Sequence, residues 1–448
     1  MKRRKFIKLS AVASLCLLFE NSSSASEIDL TKIDFSKSIY EANDAQTMIV
    51  FLYGGASQLG GNLTNLDDIK NASQSDYSYF RGLTTTTNGC WQEAGGTYME
   101  SMLSSSDMTL FRCCYSKVRE ETNNKAHGIC VSQNQKGSFD DSGAGIITNL
   151  AKILSYNGVI DEKTMMPFVT LDGDSNFYAQ GDKPLDAYLK PVGFDEKLNN
   201  PYKRGWFNWA DYTQEERDAN PEHYHDTPPE IDKVMSDLAQ QSNTNEKIKS
   251  AFDKRVALSD FIDSIATATT PDLGEDAYPQ GSDFALRVES GIKILDGNAD
   301  TKVITLSTSG MGGWDDHDDA RNYVTRMDEL FATLKSAMAH LKALNKDNKI
   351  NIVVFSDFGR NVNLNSAYGW DHGNLQNLYV LGGKNYFNHK GVIGETVLEE
   401  TGAINRLYLK PKSGTYQFEP ISIASMIYKI YGVQNPEILT GGYGAVEL

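Results

Sequence analysis

Cysteine and proline are scarce in this chain, with five and 12 among 448 residues. So little proline, beside 22 tyrosines and 19 phenylalanines, excludes a collagen-like or disordered polymer. No C-x-x-C occurs, which removes thioredoxin-like redox chemistry and cysteine-rich zinc ribbons. The G-x-S-x-G elbow, the phosphate-binding P-loop and the G-x-G-x-x-G dinucleotide fingerprint are also missing. Serine-hydrolase, nucleotide-triphosphatase and nicotinamide chemistry lose their main support. Basic residues are the minority, 43 against 59 acidic ones, for a net charge of −16. Such a surface repels phosphate backbones, so nucleic acid is excluded as a partner. What remains is ordinary globular composition, 40% hydrophobic and long enough for a large core.

The first residues read as an address. Lys2, Arg3, Arg4, Lys5 and Lys8 precede the 11-residue run Leu9 to Phe19, then small and polar residues to Ser26. That order of charged, apolar and cleavage regions is an export signal, with cleavage expected after Ala25. The run is too short to span a ~30 Å hydrocarbon layer, so no stable membrane insertion is expected once it is removed. Arg3-Arg4-Lys5-Phe6-Ile7-Lys8 matches the twin-arginine pattern, which sends folded proteins to the periplasm or beyond. Cys16 follows Leu15 rather than Gly or Ala, against a lipid anchor. In an oxidising compartment, Cys90, Cys113, Cys114 and Cys130 are expected to form two disulfides. A vicinal Cys113–Cys114 bridge is strained, so each is expected to reach Cys90 or Cys130.

Short apolar runs predict strands at Thr47–Tyr53, Met108–Cys113, Met166–Leu171, Lys302–Ser307, Ile350–Phe355 and Leu378–Leu381. Between the fourth and fifth, apolar residues from Val324 to Leu344 recur at three- and four-residue steps, predicting a helix over about 321–344. Strand, helix and strand of these lengths imply a right-handed crossover, with the two strands expected as parallel neighbours. The stretch of about 195–280 is polar, with aromatics at Trp206, Phe207 and Trp209, and reads as a helical insertion. The fold class is therefore α/β with a mostly parallel central sheet, and residues 26–448 read as one domain.

Open parallel sheets bind ligands beyond the carboxyl ends of their strands. There the fourth strand runs into Gly312-Gly313-Trp314-Asp315-Asp316-His317, and the fifth into Ser356-Asp357-Phe358-Gly359-Arg360. Asp371-His372-Gly373 immediately precedes the sixth. Carboxylates and imidazoles converging from three loops suit a divalent cation: zinc, manganese, iron or calcium. Asp315, His317, Asp357 and His372 are the candidate metal residues. Arg360 is a candidate to hold an anion, or to pair with the neighbouring carboxylates. Asp172-Gly173-Asp174-Ser175-Asn176 resembles the start of a calcium loop, but Lys183 stands where the bidentate glutamate belongs. His223 and His225 in the insertion, and His340 and His389 elsewhere, read as exposed or structural.

These motifs, with the leader, resemble the exported bacterial family called domain of unknown function 1501. Phe51-Leu52-Tyr53-Gly54-Gly55-Ala56, Gly312-Gly313-Trp314-Asp315-x-His317, Ser356-Asp357-Phe358-Gly359-Arg360 and Asp371-His372-Gly373 follow its order and spacing. That family is similar to the alkaline phosphatase and sulfatase superfamily. The resemblance implies an alkaline-phosphatase-like α/β/α sandwich and a two-metal site that cleaves phosphate or sulfate esters. It implies Asp315, His317 and His372 on one metal, with Asp357 on the second or bridging. Ser57 and Gln58 replace an Asp-Gly pair that follows Gly-Gly-Ala in the family, which weakens the second site. Lys125-Ala126-His127-Gly128 matches the family's R-S-H-F without its serine. Ser57 is then the candidate nucleophile, and His127 or Arg360 the group that meets an anion.

Two functions follow. One is a periplasmic metal-dependent hydrolase acting on an anionic small molecule or glycan ester. The other is a non-catalytic exported protein using the same fold to bind a protein partner or glycan. The Asp and His set favours the first, and the substitutions at 57 and 126 favour the second.

Overall fold

The computed structural model describes residues 28–67, 80, 82–140, 143–173, 175–181, 183–194, 198, 234, 236–238, 240, 246–401 and 406–447. The leader, the aromatics Trp206, Phe207 and Trp209, and His223 and His225 lie outside the described residues.

Each of the six apolar runs forms a strand. They are β1 (Gln46–Leu52), β2 (Met108–Tyr115), β3 (Phe168–Thr170), β5 (Val303–Ser307), β6 (Ile350–Ser356) and β9 (Leu375–Gly382). With β4 (Val192–Gly193) and β10 (Gly391–Ile393) they make one sheet, ordered β10-β2-β9-β6-β1-β5-β3-β4. Only β9 opposes its neighbours, β2 and β6. The helices that flank it and matter here are α1 (Thr97–Ser104), α2 (Lys117–Thr122), α3 (His127–Lys136), α4 (Ile146–Tyr156), α5 (Glu246–Ala266), α6 (Asp283–Gly297), α7 (Tyr323–Ala343) and α8 (Ser422–Ile430).

Strand alternation decides which helix goes where. On β1, Met48, Val50 and Leu52 join a core with Met99 of α1, Ile262 of α5, Ile292 of α6 and Leu330 of α7. Ile49 and Phe51 point the other way, to Leu150 of α4 and Ile427 of α8. Because both faces are covered, β1 is buried along its whole length, which is why it reads as a continuous apolar run. Each such fully buried side chain contributes about 1.5–3 kcal/mol of burial free energy. The result is the expected α/β/α sandwich with a mostly parallel sheet.

One expectation is corrected. β5 and β6 are parallel, with α7 crossing between them, but they are not neighbours. β1 lies between them, parallel to both, with Phe51 level with Ser307 and Leu52 level with Ser356. A crossover of this length reaches past one strand as readily as onto the adjacent position, and the strand that fills the gap comes from the other end of the chain. The loop after β1 is therefore wedged between the two loops that follow β5 and β6.

The expected disulfides are also corrected. Cys90, Cys113, Cys114 and Cys130 are all buried free thiols. The register of β2 against β9 shifts between Phe111 and Cys114, which puts Cys114 in one core with Phe111 and leaves Cys113 out of it. Cys113 and Cys130 instead direct their sulfurs to the carbonyls of Glu395 and Asn124. Burial pushes their thiols up, to about 12 and about 11. No helix of the described residues is long and apolar enough to cross a membrane.

Candidate metal centre

The carboxyl ends of β1, β5 and β6 face one edge, and β2 shares their direction because it opposes β9 as β6 does. Hence α3, reached from β2 through α2, starts at this edge with His127 as its first residue. The N-terminal end of the opposed strand β9 arrives there too, just after the short strand β8 (His372–Gly373). β8 pairs with β7 (Gly359–Arg360), placing Arg360 opposite His372.

Close approach at the end of β1 requires glycine. Gly54 has φ +108°, and a Cβ there would meet the Asp315 amide nitrogen at 2.5 Å. Gly55 has φ +72°, and its Cβ would enter the Phe358 ring. With no side chain in the way, the Gly55 N–H donates to the Asp357 carboxylate.

Three side chains from three loops then converge. One ligand atom each from His127, Asp315 and His372 lies within 4.8 Å of the others. His127 Nε2 is 3.4 Å from Asp315 Oδ1. Bonds of ~2.1 Å in a tetrahedral shell space ligand atoms ~3.4 Å apart, so this pair fits one shared cation. Both imidazoles offer a lone pair there. A carboxylate oxygen accepts, so His127 donates from Nδ1 to Asp357 Oδ2 at 2.7 Å, which leaves the lone pair on Nε2. His372 hydrogen-bonds the Lys125 backbone with its other nitrogen. The Nε2 atoms of both rings are buried without a hydrogen-bond partner. Unmade hydrogen bonds at buried nitrogens cost about 1–3 kcal/mol each, so two orphans aimed together indicate a ligand.

The electrostatics agree. Burial, then the positive charge of Arg360, holds the His372 imidazole down at about 4, so it stays neutral near pH 7. Burial pushes the Asp315 carboxyl up, but the hydrogen bond and charge of Arg360 outweigh it and hold it below the usual range. A neutral donor and an ionised one are what a cation needs. Asp315, with 53% of its side chain exposed, leaves the group open to solvent on one side.

The remaining sequence candidates occupy other positions around this group. Asp357 is 0% exposed and stands behind His127, accepting also from Ser356 Oγ at 2.9 Å. Arg360, 1% exposed, turns its guanidinium to the carbonyls of Gly54, Gly55 and Trp370 and to Asp315 Oδ1 at 2.8 Å. It clamps the three loops together. His317 packs its ring 4.6 Å from that of His372 and places Nδ1 3.4 Å from Asp371. Ser57 is buried, its Oγ accepting from the Leu59 N–H at 3.4 Å. Gln58 both donates to and accepts from the Arg360 backbone at 2.8 Å, which ties the β1 loop to β7.

Several contributors were not singled out by the sequence. Arg119 of α2, 2% exposed, and Asn134 of α3 both donate to the Asp357 carbonyl, at 2.7 and 3.0 Å. No local motif marks them, since only the docking of α2 and α3 brings them there. Asp371 carries Arg406, Nη2 to Oδ2 2.5 Å, as well as His317; its place beside His372 was the one available signal.

No family model and no curated protein matches the chain. Among solved structures it is similar to Ps i-CgsB in complex with k-i-k-neocarrahexaose, at 10% identity and a TM-score of 0.37, over 90% of this chain and 74% of that one. It is similar to alkaline phosphatase from the Antarctic bacterium TAB5 at 12% identity and a TM-score of 0.34, over 87% and 98%. Lipoteichoic acid synthase LtaP from Listeria monocytogenes gives 8% identity and a TM-score of 0.32, over 91% and 77%. Overlap this loose says nothing about chemistry, which rests on the side chains described above.

Proposed function

We propose that this chain is a metal-dependent hydrolase of phosphate or sulfate esters, with His127, Asp315 and His372 holding one divalent cation. The observation that carries the reading is a pair of imidazoles, each with a buried Nε2 that makes no hydrogen bond, whose ligand atoms and that of an open carboxylate lie within 4.8 Å of one another. Two nitrogens and one oxygen suit zinc, manganese or iron; calcium takes oxygen ligands and is disfavoured. When bound, such a cation supplies Lewis-acid polarisation and charge neutralisation at an ester oxygen. Asp357 fixes the ring and tautomer of His127, the usual partner of a metal-bound imidazole. Arg360 sets the position of Asp315. His317, with 38% of its side chain exposed and steered by Asp371, is placed to exchange a proton with a bound ester.

The motif order supports membership in the exported family of unknown function, and the leader supports twin-arginine export to the periplasm. One observation favours the second reading, a non-catalytic exported binding protein. Ser57, the only hydroxyl the sequence offered as a nucleophile, is buried and occupied by the Leu59 amide.

The two readings separate in one experiment. Purified protein is loaded with zinc or manganese, its metal counted, and nitrophenyl phosphate and sulfate offered as substrates. Metal-dependent turnover that disappears in His127→Ala establishes the hydrolase. One tightly held cation with no turnover of either ester establishes the binding protein. Absence of stoichiometric cation refutes the hydrolase and leaves the non-catalytic binding protein.

A further inference from the structure

Beside the cation group lies a second set of side chains that the hydrolase reading does not use. β11 (Thr396–Thr401) and β12 (Arg406–Pro411) form a hairpin. Arg406, Tyr408 and Lys410 alternate along β12 and so share one face. Lys410 is neutralised there by Glu120 and Glu399, each at 2.8 Å. The ammonium of Lys125 stands over the same face, 5.6 Å from the Tyr408 ring centre. It has no carboxylate partner among the described residues. Its own backbone anchors His372, and the Asp371 carboxylate next to His372 acts on this ammonium, so it lies beside the cation group. Arg406 uses one nitrogen on Asp371 and is 39% exposed, with no other partner among the described residues. Lys125 and Arg406 lie close enough to repel each other, with the carboxylates of Glu120 and Asp371 also acting on Lys125.

We propose that Lys125 and Arg406 form a subsite for a tetrahedral oxyanion, the charged group of the ester, alongside the cation held by His127, Asp315 and His372. This rests on the hydrolase reading. Lys125 contributes a point charge and Arg406 a planar fork suited to two oxyanion oxygens. Tyr408 keeps the lysine stem in place through its ring. A merely structural Arg406 would orient Asp371 and leave anion binding untouched, and a merely structural Lys125 would do no more than cover Tyr408.

The test uses manganese-loaded protein titrated separately with inorganic phosphate and inorganic sulfate by calorimetry. Lys125→Gln keeps the backbone contact to His372, so manganese affinity stays within about twofold in both it and Arg406→Gln. Each variant weakens the bound oxyanion about tenfold or more, the scale of one charge-assisted hydrogen bond. Arg406→Lys recovers only part of the loss, because a point charge cannot replace the fork. The phosphate and sulfate arms show which oxyanion the subsite prefers. Normal manganese uptake with unchanged anion affinity in either Gln variant overturns the subsite and leaves the hydrolase standing. Failure of the loaded wild-type protein to bind either anion overturns it as well. Failure of the wild-type protein to take up manganese overturns the hydrolase reading first, and the subsite with it.

Discussion

Replacing Asp357 with asparagine separates a metal ligand from a residue that holds one. The carboxylate is 0% exposed and accepts from Gly55 N–H, from Ser356 Oγ–H at 2.9 Å and from His127 Nδ1–H at 2.7 Å. Asparagine keeps the shape but offers one oxygen and one NH2. With the amide oxygen kept on the Gly55 N–H, the NH2 turns to His127, whose ring then accepts at Nδ1 and carries its proton on Nε2. Little stability is lost, but the nitrogen that a metal needs is now protonated. Losing the carboxylate behind a metal-bound imidazole weakens metal binding about 10–100-fold, or about 1.4–2.7 kcal/mol. The assay is manganese titration by calorimetry, with thermal unfolding in chelator to confirm the fold. Asp357→Asn is expected to bind within that window, while His127→Ala shows no measurable binding. Unchanged affinity in Asp357→Asn refutes the supporting role. Loss as complete as in His127→Ala makes Asp357 a direct ligand.

Further predictions follow from other parts of the structure. Gly55→Ala forces a Cβ into the Phe358 ring at φ +72°, so thermal unfolding should register a loss of about 2 kcal/mol or more; an unchanged midpoint contradicts this. Asp107, 3% exposed, joins Lys342 and Lys384, and Asp107→Asn should cost about 2 kcal/mol in urea unfolding, at the low end for a buried pair because both lysines are part-exposed. Burial lowers the His340 imidazole, which meets the Tyr278 hydroxyl at 3.2 Å, below its usual ~6.5. The unfolded chain therefore takes up a proton first, so this stability is complete above about pH 6.5 and is lost as pH falls toward the folded value. His340→Gln should flatten the loss of stability between pH 7 and 5, and an unaltered slope would show that folding does not shift the ring's pKa. Protein denatured without reductant should titrate all of Cys90, Cys113, Cys114 and Cys130 with a thiol reagent, whereas any shortfall indicates a disulfide.

Much of the architecture was legible because burial on both faces leaves an unmistakable mark. Val303–Ser307 and Ile350–Ser356 are apolar runs because helices cover both sides of the sheet. Their arrangement around β1 was not legible, since hydrophobic pattern records how deeply a strand is buried and not which strand lies beside it. The short pair β7 and β8, two residues each, has no periodicity to detect. At the site, residue types at strand ends located the region, but roles depend on order along a line of contacts. His127 stands between Asp357 and Asp315, at 2.7 and 3.4 Å, because α3 begins at the sheet edge, a tertiary fact that no spacing of motifs carries. From sequence Arg360 reads equally as an anion receptor or as a partner of neighbouring carboxylates, since nothing local reveals that four carbonyls and a carboxylate enclose it.

The most direct measurement is anomalous diffraction from crystals soaked in zinc. A single strong peak is expected ~2.0–2.2 Å from His127 Nε2, Asp315 and His372 Nε2, the range of zinc bonds to nitrogen and oxygen. A fully soaked crystal with no peak among those three side chains, or with the metal elsewhere, would contradict the account.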